Sequence, residues 1–219
     1  MLRQFFKLVP FALVLNSGLA AAHPHVWVEM RTDVVFTDDG KISGINVEWS
    51  FDDAYAQQAL EGMDANGDGE YSAEELSALT KENIDSLKDY DYFNKMWGAD
   101  TVLESAAPIN AGQTYSNTKL MLHFTVPLVT PYDPRKGEFK VKIFDPEFFI
   151  AFDYAKDQPV GSDGKIASAC KLDLKPLPTD EELNATQAML ATKGVDWKPE
   201  NGEDFGSMFA QALVVTCKS

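Results

Sequence analysis

A chain of 219 residues with 34 acidic against 19 basic side chains and a net charge of −15 has no basic surplus for nucleic acid, whose phosphates reward clustered lysine and arginine. An apolar fraction of 45% is too high for a disordered tail, and the length suits one substantial core. No apolar run reaches the roughly 20 residues that a membrane-spanning helix needs.

Residues 1–22 read as a secretory signal. Arg3 and Lys7 are its positive start, Leu8 to Leu15 its short apolar stretch, and Ala20-Ala21-Ala22 its small-residue cleavage site. Cleavage after Ala22 makes His23 the new N-terminus; cleavage after Ala20 is the alternative. With Arg3 and Lys7 removed, 17 basic residues face 34 acidic ones. The expectation is a periplasmic protein forming a single domain over 23–219. No cysteine sits at the junction, so no lipoprotein anchor is expected.

His25 to Phe36 alternates as a strand, with His23, His25, Trp27 and Glu29 on one face and Pro24, Val26, Val28 and Met30 on the other. Thr37 to Lys41 is a hairpin turn, and Ile42 to Ser50 returns. Alternation stops over about 52–96, where helix formers predict a helical insertion, Asp52 to Gly62 and Ser72 to Tyr90, with Asp52-Asp53 as the N-cap of the first helix. It resumes with Leu120, Leu122, Phe124, Val126 and Leu128 on one strand face and His123 on the other. Strands follow over Glu138 to Phe144 and Phe148 to Tyr154, broken at Asp145-Pro146, and over Ile166 to Leu174. Thr179 with Glu182 opens a helix ending near Gly194, and Ala212 to Cys217 closes the chain. The pattern predicts an α+β fold: an antiparallel, immunoglobulin-like β-sandwich with a helical insertion. Trp27, Trp49, Phe51, Tyr90, Tyr92, Phe93, Phe144, Phe148, Phe149 and Phe152 are assigned to the core, and the 144–149 segment to packing around a bend, with a ligand-lining surface as the alternative. Cys170 and Cys217 pair as a disulfide in an oxidising compartment, with soft-metal thiolate ligation as the alternative.

The segment Asp64 to Glu75 fits the EF-hand calcium loop at each required position. Asp64, Asn66 and Asp68 stand at positions one, three and five. Glu70 offers its carbonyl at seven, Ser72 stands at nine, and Glu75 at twelve gives a bidentate carboxylate. Gly69 at six permits the sharp turn. Tyr71 occupies position eight, through which such hands usually pair. There is no second loop, so a weak structural calcium site is expected.

The three histidines, His23, His25 and His123, suit a first-row ion such as zinc, nickel or copper. The H-x-H spacing puts His23 and His25 on one strand face, and His123 is the candidate third ligand. Pro24 lacks the N–H that the square-planar amino-terminal copper motif requires. A brace of the His23 α-amine and imidazole with a second histidine is still available. Glu29, Asp145 and Asp153 are candidates for a fourth ligand. No nucleophile elbow, P-loop or H-E-x-x-H occurs, so no catalytic residue is assigned.

His23-Pro24-His25-Val26-Trp27, Val47-Glu48-Trp49-Ser50-Phe51-Asp52, Tyr90-Asp91-Tyr92-Phe93 and Phe144-Asp145-Pro146-Glu147-Phe148-Phe149 resemble a bacterial periplasmic family regarded as the periplasmic component of an ABC-type transport system. The resemblance implies association with nickel, cobalt or zinc permeases. The leading expectation is a periplasmic transition-metal binding protein that passes metal to or from a membrane transporter, with accessory calcium. One alternative is a copper enzyme, because the start is similar to the histidine brace of lytic polysaccharide monooxygenases. The other is a calcium-dependent interaction protein.

Overall fold

In the computed structural model, residues 24–164, 170–190, 192 and 206–217 are described. The expected leader and His23 lie outside them, as does most of the stretch between the last helix and the closing strand. The fold is mixed α and β, built mostly from antiparallel sheets. No helix among the described residues is long and apolar enough to cross a membrane.

Strand β1, Val26–Phe36, buries Val26, Val28, Met30, Thr32, Val34 and Phe36, and turns Trp27, Glu29 and Asp33 outward. The Thr37–Lys41 turn reverses it, with the Thr37 N–H donating to the Lys41 carbonyl at 2.8 Å and Gly40 at φ +77°. Strand β2, Ile42–Phe51, returns antiparallel with Met30 opposite Trp49. Helix α1, Asp53–Ala59, is capped by Asp52. Helix α2, Ser77–Leu87, follows the acidic loop and runs into a 3-10 turn, Lys88–Phe93. The helical stretch thus ends at Phe93, where β3, Asn94–Gly98, begins.

The short β4, Thr101–Val102, and then β5, Ile109–Ser116, lead to the long β6, Lys119–Tyr132. Strand β7 is Phe139–Ile143, β8 is Ile150–Tyr154 and β9 is Val160–Asp163. The last elements are β10, Cys170–Leu174, α3, Asp180–Leu190, and β11, Ala212–Cys217. The six-stranded sheet runs β5-β6-β2-β1-β8, with β9 also on β1; the five-stranded sheet runs β10-β11-β7-β3-β4. Among the described strands, only β8 and β9 pair in parallel, both with β1.

Both sheets contribute to one core, from Trp49, Phe124 and Phe152 of the first to Met96, Phe139, Val141 and Leu213 of the second. Trp49 is its centre, 5.0 Å edge-on to Phe124 and 4.9 Å from Phe152. The alternation on β6 is as expected: Leu120, Leu122, Phe124, Val126 and Leu128 are buried and His123 is exposed. Three aromatics placed in the core by sequence lie partly outside it. Trp27 is 51% exposed, Phe149 43% and Tyr90 37%; Trp27 falls on the outward face of β1, where strand period, not hydrophobicity, sets direction.

The break at Asp145-Pro146 carries the chain from one sheet to the other, since β7 belongs to the second and β8 to the first. Asp145 organises that crossing. It is 4% exposed and accepts the N–H of Glu147 at 2.9 Å and those of Phe149 and Ile150 at 3.0 Å. Burial raises its pKa above the ordinary carboxylate range against the opposing pull of these N–H groups.

Candidate functional site

The acidic loop folds on its own oxygens. Asp64 accepts the N–H groups of Gly67 at 2.7 Å, Asp68 at 3.2 Å and Gly69 at 3.0 Å. Asn66 accepts from the Asp68 N–H and Asp68 from the Glu70 N–H. Gly67 and Gly69, at φ +74° and +80°, take left-handed conformations that would strain a side-chain-bearing residue. Glu75 closes the ring: one oxygen takes the Ala65 N–H at 3.0 Å, the other the Ser72 N–H at 2.9 Å and hydroxyl at 2.8 Å. The Ser72 donors, with those of Asn66 and Ala65, hold the Glu75 carboxyl below its usual range. The donor set of carboxylate, amide, hydroxyl and carbonyl oxygens fits a hard cation. Among the described residues, however, no three His, Cys, Asp or Glu side chains converge as a metal-holding group. These carboxylates accept backbone N–H groups instead, together with the Ser72 hydroxyl and the Asn66 amide.

The loop is fixed to the body at three places. Tyr71 packs edge-on against Tyr115 of β5, centroids 5.2 Å apart. Leu76 and Leu79 are buried in the common core. The Thr80 hydroxyl donates to the Gln113 side-chain oxygen at 3.3 Å.

His25 and His123 do not converge, and His23 lies outside the described residues. The His25 N–H donates to the Phe149 carbonyl at 2.8 Å, and its ring lies 4.7 Å from that of Phe149. His123 pairs with Glu48, which pairs with Arg31, six residues along β1 from His25. At about 3.3 Å per residue and 4.8 Å per strand, the two imidazoles are roughly 20 Å apart on one outer face, too far to bind one ion. His123 instead lies over Gly112, where a Cβ would come within 2.7 Å of its ring. Glu29 and Asp153 are register partners on exposed positions, whereas Asp145 is committed to backbone N–H groups. Cys170 and Cys217 form a disulfide between register partners on β10 and β11, which removes the thiolate alternative.

A cavity of about 350 Å³ lies between the first sheet, α2 and the 144–150 crossing. All four segments that carry the family resemblance reach it. Val26 comes from the first, Trp49 and Phe51 from the second, Tyr90 and Phe93 from the third, and Asp145, Glu147 and Phe149 from the fourth. Helix α2 adds Asn83, Ser86 and Leu87. The Tyr90–Phe93 wall is strained: Asp91, Tyr92 and Phe93 have φ of 50°, 55° and 56°, at a cost of about 1–2 kcal/mol for each side-chain-bearing residue. Strain of this kind gathers at functional sites. The Asn94 amide donates to the Tyr92 carbonyl, bracing the turn.

A family model described as "Protein of unknown function (DUF1007)" matches residues 8–217. The chain belongs to the DUF1007 family. An "Uncharacterized protein" of Haemophilus influenzae is 24% identical over 209 residues, covering 94% of this chain and 96% of its own. The "Uncharacterized 15.5 kDa protein in trpE 3'region" of Spirochaeta aurantia is 31% identical over 97 residues, covering 44% of this DUF1007 chain and 69% of its own. Sequence patterning assigned the aromatics of the DUF1007 cavity to the core and weighed only the 144–149 segment, which supplies Asp145, Glu147 and Phe149, as a ligand-lining alternative. The signal available was the recurrence of aromatic and acidic residues together in three separate segments.

Proposed function

We propose that this DUF1007 protein is an exported calcium-binding protein whose amino-terminal His23 and His25 hold a transition ion, zinc, nickel or copper, exchanged with a membrane transporter. The calcium half rests on one observation: Glu75 is folded back onto Ala65 and Ser72 while Asp64 gathers the turn from Gly67 to Gly69, so the ends of the twelve-residue loop already meet. Calcium exchanges backbone donors for an ion at that ring, in the weak range of roughly 0.1–1 mM typical of extracellular modules. The transition-metal half is supported by the H-x-H spacing, by the exposure of His25, and by the likeness to permease-associated proteins. His123 takes no part in it.

Native mass spectrometry of the protein recovered from the periplasm tests both halves, reporting the cleavage point and the bound metals together. One calcium lost in Asp64→Asn, plus one zinc, nickel or copper lost in His25→Ala, is the expected result. Calcium alone leaves a calcium-dependent interaction protein, and copper with ascorbate-driven peroxide production leaves the oxidative enzyme; either outcome overturns metal delivery.

A further inference from the structure

The outward face of the six-stranded sheet carries Glu29, Asp33, Glu48, Asp153 and Asp163 against Arg31 and Lys119. Both cations are already engaged: the Arg31 guanidinium lies 3.9 Å from Glu48, and the Lys119 ammonium 3.1 Å from Asp53. Glu29 and Asp153 stand side by side as register partners on β1 and β8. Among the described residues no ion pair reaches either. Like charges on neighbouring strands are destabilising, so folding alone gives no reason for this pair. Trp27 is one pleat away on the same face of β1 and is 51% exposed. Its register partner is Ala151, too small to cover the ring. Its backbone is clamped: the Trp27 N–H donates to the Asp52 carboxylate at 2.8 Å, and the Trp27 carbonyl accepts the Asp52 N–H at 2.9 Å. The fixed indole and the two carboxylates line one open groove of about 560 Å³; Lys156 shares it and ion-pairs with neither carboxylate. We propose that this face docks a basic polypeptide segment, with an arginine guanidinium stacked on Trp27 and forked onto Glu29 and Asp153.

Charge complementarity selects the partner. Tryptophan is the best aromatic for a cation held over its face. A guanidinium is flat, stacks on rings and presents its donors as a fork that matches carboxylates, which a lysine ammonium does not. The negative charge also extends beyond one point. Asp33 lies four residues past Glu29 on the same face of β1, about 13 Å away at the rise of a strand. That is the separation of residues i and i+4 in an extended segment laid along the strand. A chain with two arginines at this spacing engages both ends of the row, which one small cation cannot do.

The peptide acetyl-Arg-Gly-Gly-Gly-Arg-amide tests this against the same peptide with citrulline at both ends, which keeps the shape and loses the charge. In a ¹H–¹⁵N titration of the exported chain, the arginine peptide shifts the Trp27 indole resonance. It binds about tenfold more tightly than the citrulline peptide, as a cation–π contact and a few exposed ion pairs dictate. Trp27→Leu, at an exposed position, weakens it about fivefold. Glu29→Gln with Asp153→Asn weakens it about tenfold. Asp38→Asn with Asp100→Asn removes equal charge from exposed positions elsewhere and leaves binding within about twofold. His25→Ala also leaves it unchanged, which separates this face from the proposed transition-metal site. Equal binding of the two peptides, a Trp27 indole unmoved at saturation, equal losses in the two charge-removing pairs, or loss in His25→Ala overturns the proposal. So does tighter binding of cellopentaose than of the arginine peptide, which would make Trp27 a sugar-stacking platform.

Discussion

Tyr71 and Tyr115 meet edge to face, ring centroids 5.2 Å apart at 77°, and so join position eight of the acidic loop to an edge strand of the six-stranded sheet. In a paired EF-hand that position meets its twin; on the proposed calcium reading, a β-strand takes the twin's place. Tyr71→Ala removes an aromatic pair worth about 1 kcal/mol beyond its buried area, and the thermal midpoint falls by about 2–4 °C. Calcorimetric scans with and without calcium check a further outcome: the rise in midpoint caused by calcium shrinks, because the loop no longer transmits its order to β5.

Asp52 fastens the start of α1 to β1. One oxygen accepts the Ala54 and Tyr55 N–H groups at 2.9 and 3.0 Å, the other the Trp27 N–H at 2.8 Å. Partial burial pushes its pKa up, but the N–H groups of Trp27, Tyr55 and Ala54 more than reverse this and leave it below the usual value. Asp52→Ala therefore costs about 1–2 kcal/mol at neutral pH. A carboxyl with a lowered folded pKa stabilises above its unfolded value, near 3.9, and loses that contribution as pH falls through the folded one. Urea midpoints of the two proteins should separate at pH 7 and draw together below about pH 4.

Tyr154 predicts the alkaline limb. Burial pushes its phenol up to about 12, against a small opposing pull from Thr32. A raised folded pKa gives stability that is intact below the unfolded value, about 10, and is lost as pH climbs through the folded one. The Tyr154 hydroxyl makes no well-formed hydrogen bond, so Tyr154→Phe is near neutral or stabilising at pH 8. Thermal midpoints followed between pH 8 and 12 should fall less steeply in that variant.

The Cys170–Cys217 bridge closes a segment whose ends are 47 positions apart. Cys170→Ser with Cys217→Ser costs about 2–4 kcal/mol, chiefly through a freer unfolded chain. Hydrogen exchange localises the effect. Amides of β10 and β11 exchange faster, while those of β1 and β2, in the other sheet, change least.

Periodicity made the strands legible: the buried positions of β1 and β6 are those that alternation marks. Asp52 was readable as a helix cap because its type and place agree. Trp27 misled because the same bulk that fills a core also sits outward when the pleat requires it. The crossing at Asp145 was visible as a break, yet its meaning, a change of sheet, depends on partners far along the chain that no local pattern names. The separation of His25 from His123 has the same origin: each lies on an outward face, but distance across strands follows from register, which alternation leaves open. The cavity was hidden most fully, since an aromatic lining and an aromatic core are spelled with the same letters.

Strand β1 is the earliest element of the fold, and it is held between β2 on one side and β8 and β9 on the other. Its Val26 waits for Ile150, and its Thr32 for Val160. A chain delivered amino end first thus cannot complete this sheet until more than two thirds of it has emerged, and contacts so remote in sequence make for slow assembly. Such a polypeptide stays threadable through a narrow pore for most of its passage and locks only near the end, when the late strands arrive to flank the first.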